Sequence, residues 1–252
     1  MSPVRVILCV AAAVLVADAA SQAQPLPGAF YIRGSVGLAA QSLKDWNDDI
    51  KADEQLLLSA GIPTRFETFG PGFPIGLESR YQISDVVSLG AALTYQKASV
   101  SNSISDASGS VSSDGDVSLT ALLASVSIWM PEARGWFFGG NVGLGLGKAT
   151  SEAHFRDFTT PSNDIDATGD WDGNAPILGV FAGYEQTFPK GQLFFVRLGY
   201  QYQNLGVLDG TATSPQFGNR SGPPIDNAGQ ALETDFSGVQ IAVGFGFAFG
   251  GK

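Results

Sequence analysis

Few side chains in this sequence have the types and spacing that chemistry requires. His154 is the only histidine of the chain, and Ser151, Glu152 and Asp157 stand within three residues of it. A hydroxyl, an imidazole and two carboxylates are the residue types of nucleophilic or general acid–base catalysis. A lone histidine in a polar stretch is also what an ordinary solvated surface carries. Downstream, oxygen-bearing side chains alternate at Asp164, Asp166, Thr168, Asp170 and Asp172, with Gly169 at the sixth position of the run. That pattern partly matches a calcium-binding loop, in which carboxylates precede an obligatory glycine turn. The twelfth position, where such a loop needs a bidentate Glu, holds Ala175. A third set, Arg33, Glu78, Arg80, Glu185 and Arg197, is scattered along the chain. Charges of that kind persist away from water only when paired.

Composition limits what these residues can serve. The 252 residues carry 14 Lys+Arg against 24 Asp+Glu, a formal charge of −10. That excludes the basic footprint a nucleic-acid partner needs. Charged residues are 15% of the chain, below the ~25% of ordinary soluble domains, whereas the 32 glycines are close to double the usual ~7%. Residues 1–23 read as a signal peptide, with Arg5, an apolar run from Val6 to Val16, and small residues leading to cleavage after Ala23 or after Ala19. Residues 24–252 then form one domain. The single cysteine, Cys9, falls in the leader. The domain therefore has no disulfide, thiol nucleophile or cysteine metal site. No later stretch approaches the ~20 apolar residues of a membrane-crossing helix, so any crossing must use strands.

The elements that must position the charged side chains are eight segments of period-two alternation. Phe30, Ile32, Val36 and Leu38 oppose Tyr31, Arg33, Ser35 and Gly37; Ile75, Leu77 and Tyr81 oppose Gly76, Glu78 and Arg80. Similar segments run over Val87–Gln96, Trp136–Gly147, Leu178–Phe188, Phe194–Tyr202 and Gly238–Phe249. The fourth, Val117–Met130, is ambiguous: Leu122, Val126 and Ile128 alternate cleanly, but the earlier half reads in the other phase, as a β-bulge would produce. These lengths fit tilted membrane strands of about 9–11 residues rather than soluble strands of about five or six. Short turns at Ser84-Asp85, Pro131–Gly135 and Pro189–Gln192 alternate with long polar connections at Gln41–Gly70, Ser101–Gly115, Thr150–Gly173 and Gly206–Asp235. Aromatic residues cluster beside the short turns (Phe30, Tyr81, Trp129, Trp136, Phe188, Phe194, Phe249), where an interfacial girdle belongs.

The expected fold is therefore all-β: an eight-stranded antiparallel up-and-down transmembrane β-barrel with long extracellular loops. A soluble lipocalin-like barrel is the rival, but it would need an apolar interior. The layout resembles the OmpA/OmpX-like small outer-membrane barrels of Gram-negative bacteria over nearly the whole of residues 24–252. The last strand adds a more specific likeness. Gly244, Phe247 and Phe249 in Gly244-Phe245-Gly246-Phe247-Ala248-Phe249 are similar to the signal such barrels present to the barrel-assembly machinery. Family members end on the aromatic residue, whereas this chain continues with Gly250-Gly251-Lys252.

The resemblance implies a cell outer-membrane location, N- and C-termini in the periplasm, and contact with outer-membrane lipid and lipopolysaccharide. In that frame Arg33, Glu78, Arg80, Glu185 and Arg197 all point inward near the short-turn end, as a salt-bridged plug with no open pore. Tyr31, Asn141, Gln201 and Gln240 are expected to take up the leftover donors and acceptors. Leu43–Leu58 has helical character, with Trp46, Ile50 and Leu57 on one face and Gly61 as terminator; it is expected to cap the barrel mouth, with lying on the outer leaflet as the alternative that its acidic residues Asp45, Asp48, Asp49, Asp53 and Glu54 disfavour. The first functional expectation is a non-enzymatic envelope scaffold or surface-interaction protein. The alternative is a porin-like narrow channel for small solutes. A lipid A-modifying enzyme built on His154 and Ser151 ranks last, since Ser151-Glu152-Ala153-His154 departs from the pattern of such enzymes. No cofactor is expected beyond the calcium that Asp164–Asp172 suggests.

Overall fold

The computed structural model describes residues 26–59, 61–188, 191–226 and 228–250. The expected leader and the final Gly251-Lys252 lie outside them. Eight antiparallel strands close into a barrel: β1 (Ala29–Gln41), β2 (Ile75–Gln82), β3 (Val87–Ser105), β4 (Gly109–Trp129), β5 (Trp136–Asp157), β6 (Ile165–Thr187), β7 (Gln192–Tyr202) and a last strand, Gly238–Gly250. Four short strands precede the last one: β8 (Asn204–Val207), β9 (Asp209–Ser214), β10 (Gly218–Gly222) and β11 (Glu233–Asp235). The last strand is therefore β12. Each barrel strand pairs with its sequence neighbour, and β12 pairs with both β7 and β1 to close the ring.

The period-two alternation sets which side chains face out. Leu77, Leu93, Leu122, Leu144, Leu178 and Leu198 are each more than half exposed. Tyr31, Arg33, Glu78, Arg80 and Glu185 on the opposite face are almost fully buried. Closure of the ring pairs each of the eight strands with a neighbour on both sides at barrel level, as a lipid-facing sheet requires. No helix among the described residues is long and apolar enough to cross a membrane.

Two of the four expected long loops are not loops. β3 and β4 continue up to a three-residue turn at Asp106–Ser108, and β5 and β6 run on to a short link holding a single 3-10 turn at Pro161–Asn163. β5 alone has 22 residues, about twice what a tilted crossing needs. The outer face changes character along one hydrogen-bonded row. Tyr95, Thr120, Leu146 and Asn174 are registered side by side, and the next outward row is Lys97, Ser118, Lys148 and Asp172. Below this boundary the outward side chains are mainly apolar, and above it they are polar or charged: Ser, Thr, Asp, Glu, Lys, His154 and Arg156. These upper halves read as loops in the sequence because a strand with a solvated outer face lacks the apolar half of the alternation. β9 extends the raised sheet from β6, and β10 pairs onto β9.

The helix α1 (Lys44–Ser59) leaves β1 through Leu43, whose φ of 34° is the one positive value at a non-glycine residue among those described. Such a backbone costs about 1–3 kcal/mol. It is held because the Leu43 side chain is fully buried and its N–H donates to the Asp235 carbonyl at 2.9 Å. Gly61, at φ 82°, ends the helix as expected, donating to the Leu58 carbonyl. β4 pairs with both neighbours in unbroken register, so the expected bulge is absent. Its two phases have a different cause. Val117, Leu119 and Leu123 point inward into an apolar layer of the lumen, above the charged residues.

Candidate functional site in the barrel lumen

Two layers close the lumen. In the lower one, β1, β2, β6 and β7 bring all five charged residues together. Arg33 faces Glu78 directly across the β1–β2 pair. Its Nη2 donates to Glu78 Oε1 at 2.5 Å and its Nη1 to Glu185 Oε2 at 2.8 Å. Arg80 donates twice to Glu185, at 2.7 and 2.6 Å, and Arg197 donates to Glu78 Oε2 at 3.3 Å. Each carboxylate thus bridges two guanidiniums, and three cations meet two anions.

Aromatic faces offset the unbalanced cation. The Arg80 guanidinium lies 4.2 Å from the Tyr31 ring centroid and 4.8 Å from that of Trp129. Arg33 sits 4.5 Å from Phe195, and Arg197 5.2 Å from Phe181. Desolvated contacts of this kind contribute up to about 2 kcal/mol each. Glycine makes the room. A Cβ on Gly246 would lie 2.6 Å from the Arg33 Cβ, and one on Gly244 would lie 2.5 Å from the Phe195 ring.

The aromatic clamp corrects two readings. Trp129 belongs to the interior, not to an outer girdle, because it shares the inward phase of β4 and is 3% exposed. Phe194 is also buried, packed edge-on against outward Phe245 with centroids 5.0 Å apart. Phe30, Tyr81, Trp136, Phe188 and Phe249 remain exposed on the outer face. Tyr31 serves the plug through its ring, while its hydroxyl accepts from the Leu26 N–H. Gln201 and Gln240 bond to Gln203 and Gln96 rather than to the charges, and Asn141 Oδ1 has no protein partner. Alternation gives the inward phase of Tyr31 and could have indicated that of Phe137, Phe181 and Phe195. It could not show that their faces would meet guanidiniums.

The upper layer is apolar. Wall residues Leu119, Leu123, Ala149, Ala175 and Ile177 pack against Leu43, Trp46, Phe69, Leu205, Leu208 and Phe236, which descend from the connections. Trp46 of α1 is anchored there by a 3.0 Å hydrogen bond from its Nε1 to Thr234 Oγ1, and it meets Phe69 and Trp171 edge-to-face. The helix therefore caps the mouth and its connection fills the space beneath.

The chemistry-bearing residues of the raised sheet lie outside this lumen. His154 Nδ1 is 2.6 Å from Asp166 Oδ1 across the β5–β6 pair, and its Nε2 is 3.0 Å from Glu152 Oε1. The hydrogen bond to Asp166, supported by Glu152, raises the imidazole above its ordinary pKa. Asp166 is held low by Arg156 and His154. Ser151 lies three residues before His154 on an extended strand, so the two side chains take opposite faces. Ser151 lines a cavity inside the mouth, whereas His154 stays with its outer carboxylates. Asp157 organises the β5–β6 link: it accepts from the Thr159 hydroxyl at 2.6 Å, from Asn163, and from the backbone N–H groups of Thr159 and Thr160. Those bonds lower its pKa to about 2.

The suggested calcium segment is strand rather than loop from Ile165 onward. Alternate residues on a strand stand roughly 6–7 Å apart, too far to converge on one shell of oxygen ligands at about 2.3–2.6 Å. Asp164 accepts from the Asp157 N–H, Asp166 pairs with Arg156 and His154, and Asp170 pairs with Lys148 at 2.9 Å. Thr168 and Asp172 stand on the same outward face. Among the described residues no three His, Cys, Asp or Glu side chains are grouped as a metal site.

No protein-family model matches this sequence, and no curated protein matches it. Among solved structures, it is similar to Ail, the attachment invasion locus protein of Yersinia pestis, at 13% identity, covering 89% of this chain and 100% of that one with a TM-score of 0.43. The outer membrane protein OprG from Pseudomonas aeruginosa is 12% identical, with 89% and 97% covered and a TM-score of 0.46. A major outer membrane protein from Thermus thermophilus is 12% identical, with 88% and 99% covered and a TM-score of 0.46.

Proposed function

We propose that this chain is a non-enzymatic outer-membrane barrel, closed at rest, that supports the envelope and meets its surroundings through the raised sheet and the helical cap. The observation that carries the closed state is the two-layer seal, in which a buried five-residue ion network lies beneath an apolar layer. The apolar outer face with its aromatic residues supports placement in a bilayer. The short turns and both ends of the barrel lie on one rim, opposite the raised sheet, which supports periplasmic termini. Lipid and lipopolysaccharide surround the apolar face in this reading. β12 presents outward Phe247 and Phe249 to the assembly machinery in this reading, with Gly244 on its inward face against the Phe195 ring. The refolded full chain in planar bilayers tests the closed state: insertion without stable conductance is expected. Large, long-lived openings of the unmodified protein would establish a porin-like channel instead.

A further inference from the structure

The charged network of the lower lumen is not balanced. Arg33, Arg80 and Arg197 set three positive charges against the two negative charges of Glu78 and Glu185, all inside the barrel. Removing a charge from water without a counter-charge is costly. The surplus is not spread evenly. Arg33 and Arg80 have side chains at most 1% exposed, and their hydrogen bonds to the carboxylates are 2.5–2.8 Å long. Arg197 makes a single one, at 3.3 Å. Its guanidinium is 5.2 Å from the Phe181 centroid, farther than Arg33 stands from Phe195 or Arg80 from Tyr31.

Space lies beside that cation. Arg197 is on the inward face of β7, registered with Ala242 of β12, yet 19% of its side chain is accessible. It borders a cavity of about 30 Å³ whose lining includes Asn141, Gln201, Gln240 and Ala242. Donors around this space are unused. Nε and Nη2 of Arg197 have no hydrogen-bond partner among the described residues, and neither is enclosed as the Nε atoms of Arg33 and Arg80 are. Gln201 accepts from Gln203 through Oε1, and its own Nε2 has no partner among the described residues. The Oδ1 end of Asn141 is packed over Gly179, where a Cβ would lie 2.5 Å from it, and its Nδ2 is likewise unbonded among the described residues.

We propose that this cavity binds one monatomic anion, of the class of chloride, as the sixth member of the ion network. The anion lies against the unbonded N–H groups of Arg197, with the Asn141 and Gln201 amides as further donors, and three cations then meet three anions. The volume selects the class. A cavity of about 10–15 Å³ admits one water-sized particle, so this one has room for a halide and none for a phosphate or an organic carboxylate. Water fits the same space but leaves the surplus charge uncompensated.

The test follows urea unfolding of the refolded full chain in detergent, with chloride replacing gluconate at constant ionic strength. Screening is then common to all samples, and only chloride fits the cavity. A ligand that binds the folded state alone stabilises it by mass action. Above the dissociation constant, each tenfold rise in chloride should raise the midpoint by roughly 0.5–1.4 M, the shift for one bound ion at a urea dependence of about 1–3 kcal/mol per molar. Arg197→Met leaves two cations facing two anions and should abolish the chloride dependence. Ala242→Val fills the cavity without touching a charge and should abolish it as well. Crystals of the full chain grown in sodium bromide should show the bromine anomalous signal beside the Arg197 guanidinium. Should Arg197→Met fail to fold, Ala242→Val and the bromide position decide. A midpoint indifferent to chloride between about 1 and 300 mM, a chloride dependence unchanged in either variant, or bromide found only on the outer surface would each overturn the proposal.

Discussion

Glu185→Gln is the sharpest perturbation of the barrel interior. Glu185 is 2% exposed and accepts three charge-assisted hydrogen bonds, at 2.6, 2.7 and 2.8 Å, from Arg80 and Arg33. Glutamine keeps the volume but removes the charge and turns an NH₂ toward guanidiniums that can only donate. Arg33 retains Glu78, but Arg80 loses the one carboxylate it is bonded to among the described residues. Breaking a buried pair from one side costs about 3–5 kcal/mol. The Tyr31 and Trp129 faces that hold Arg80 recover about 1–2 kcal/mol of that at most. With a net loss of about 3 kcal/mol and a urea dependence of about 1–3 kcal/mol per molar, the unfolding midpoint of the refolded protein should fall by roughly 1.5 M. Tryptophan fluorescence reports the transition, since Trp129 sits on Arg80. The double variant Glu185→Leu with Arg80→Met removes both halves of the pair and should regain most of the loss, as buried pairs replaced by apolar residues commonly do. A midpoint shift below about 0.5 M for Glu185→Gln would mean that the charges are hydrated, and the plug would then not seal the lumen.

Three further outcomes follow from the raised sheet and the barrel wall. His154 should titrate above the ordinary histidine range by NMR, and Asp166→Asn should return it toward that range, because the Asp166 hydrogen bond is the main cause of the shift. A raised folded-state pKa means that the His154 contribution to stability is fully present below the unfolded value of about 6.5 and is lost as pH rises through the folded value. Stability measured across that window should fall in the native chain and lose that dependence in His154→Gln. Gly244→Ala should destabilise by about 1–3 kcal/mol, since its Cβ would overlap the Gly34 carbonyl oxygen and lie 2.5 Å from the Phe195 ring. Gly34→Ala, with its nearest neighbour at 3.9 Å, should be close to neutral in the same denaturation assay. Calcium should give no saturable heat in the millimolar range, because strand geometry spreads the five oxygen-bearing side chains between Asp164 and Asp172; a stoichiometric isotherm would contradict that geometry.

How far the sequence could be read depended on which physical signal each residue obeyed. Period two is enforced wherever one face is apolar and the other is not, so β1, β7 and β12 and the inward placement of Arg33, Glu78, Arg80, Glu185 and Arg197 were legible. The same rule goes silent above the row of Tyr95, Thr120, Leu146 and Asn174. There the outer face is solvated, and Ser101 to Gly115 and Thr150 to Gly173 look like loops although the ladder continues through them. It misleads in β4, where Leu119 and Leu123 face inward because residues from distant connections fill the lumen beside them.

The mouth carries the same lesson. The helical period of Trp46 and Ile50 predicts a cap, and a cap forms. In the sequence Trp171 is only a spacer in a run of carboxylates. It packs edge-to-face on Trp46 because the run is a strand whose alternate side chains enter the mouth. A local pattern can specify an element and its phase. Which elements meet in the lumen is set by loop closure over tens of residues, and that is why the ion plug was foreseeable in sequence and the packing of Trp171 on the helix above it was not.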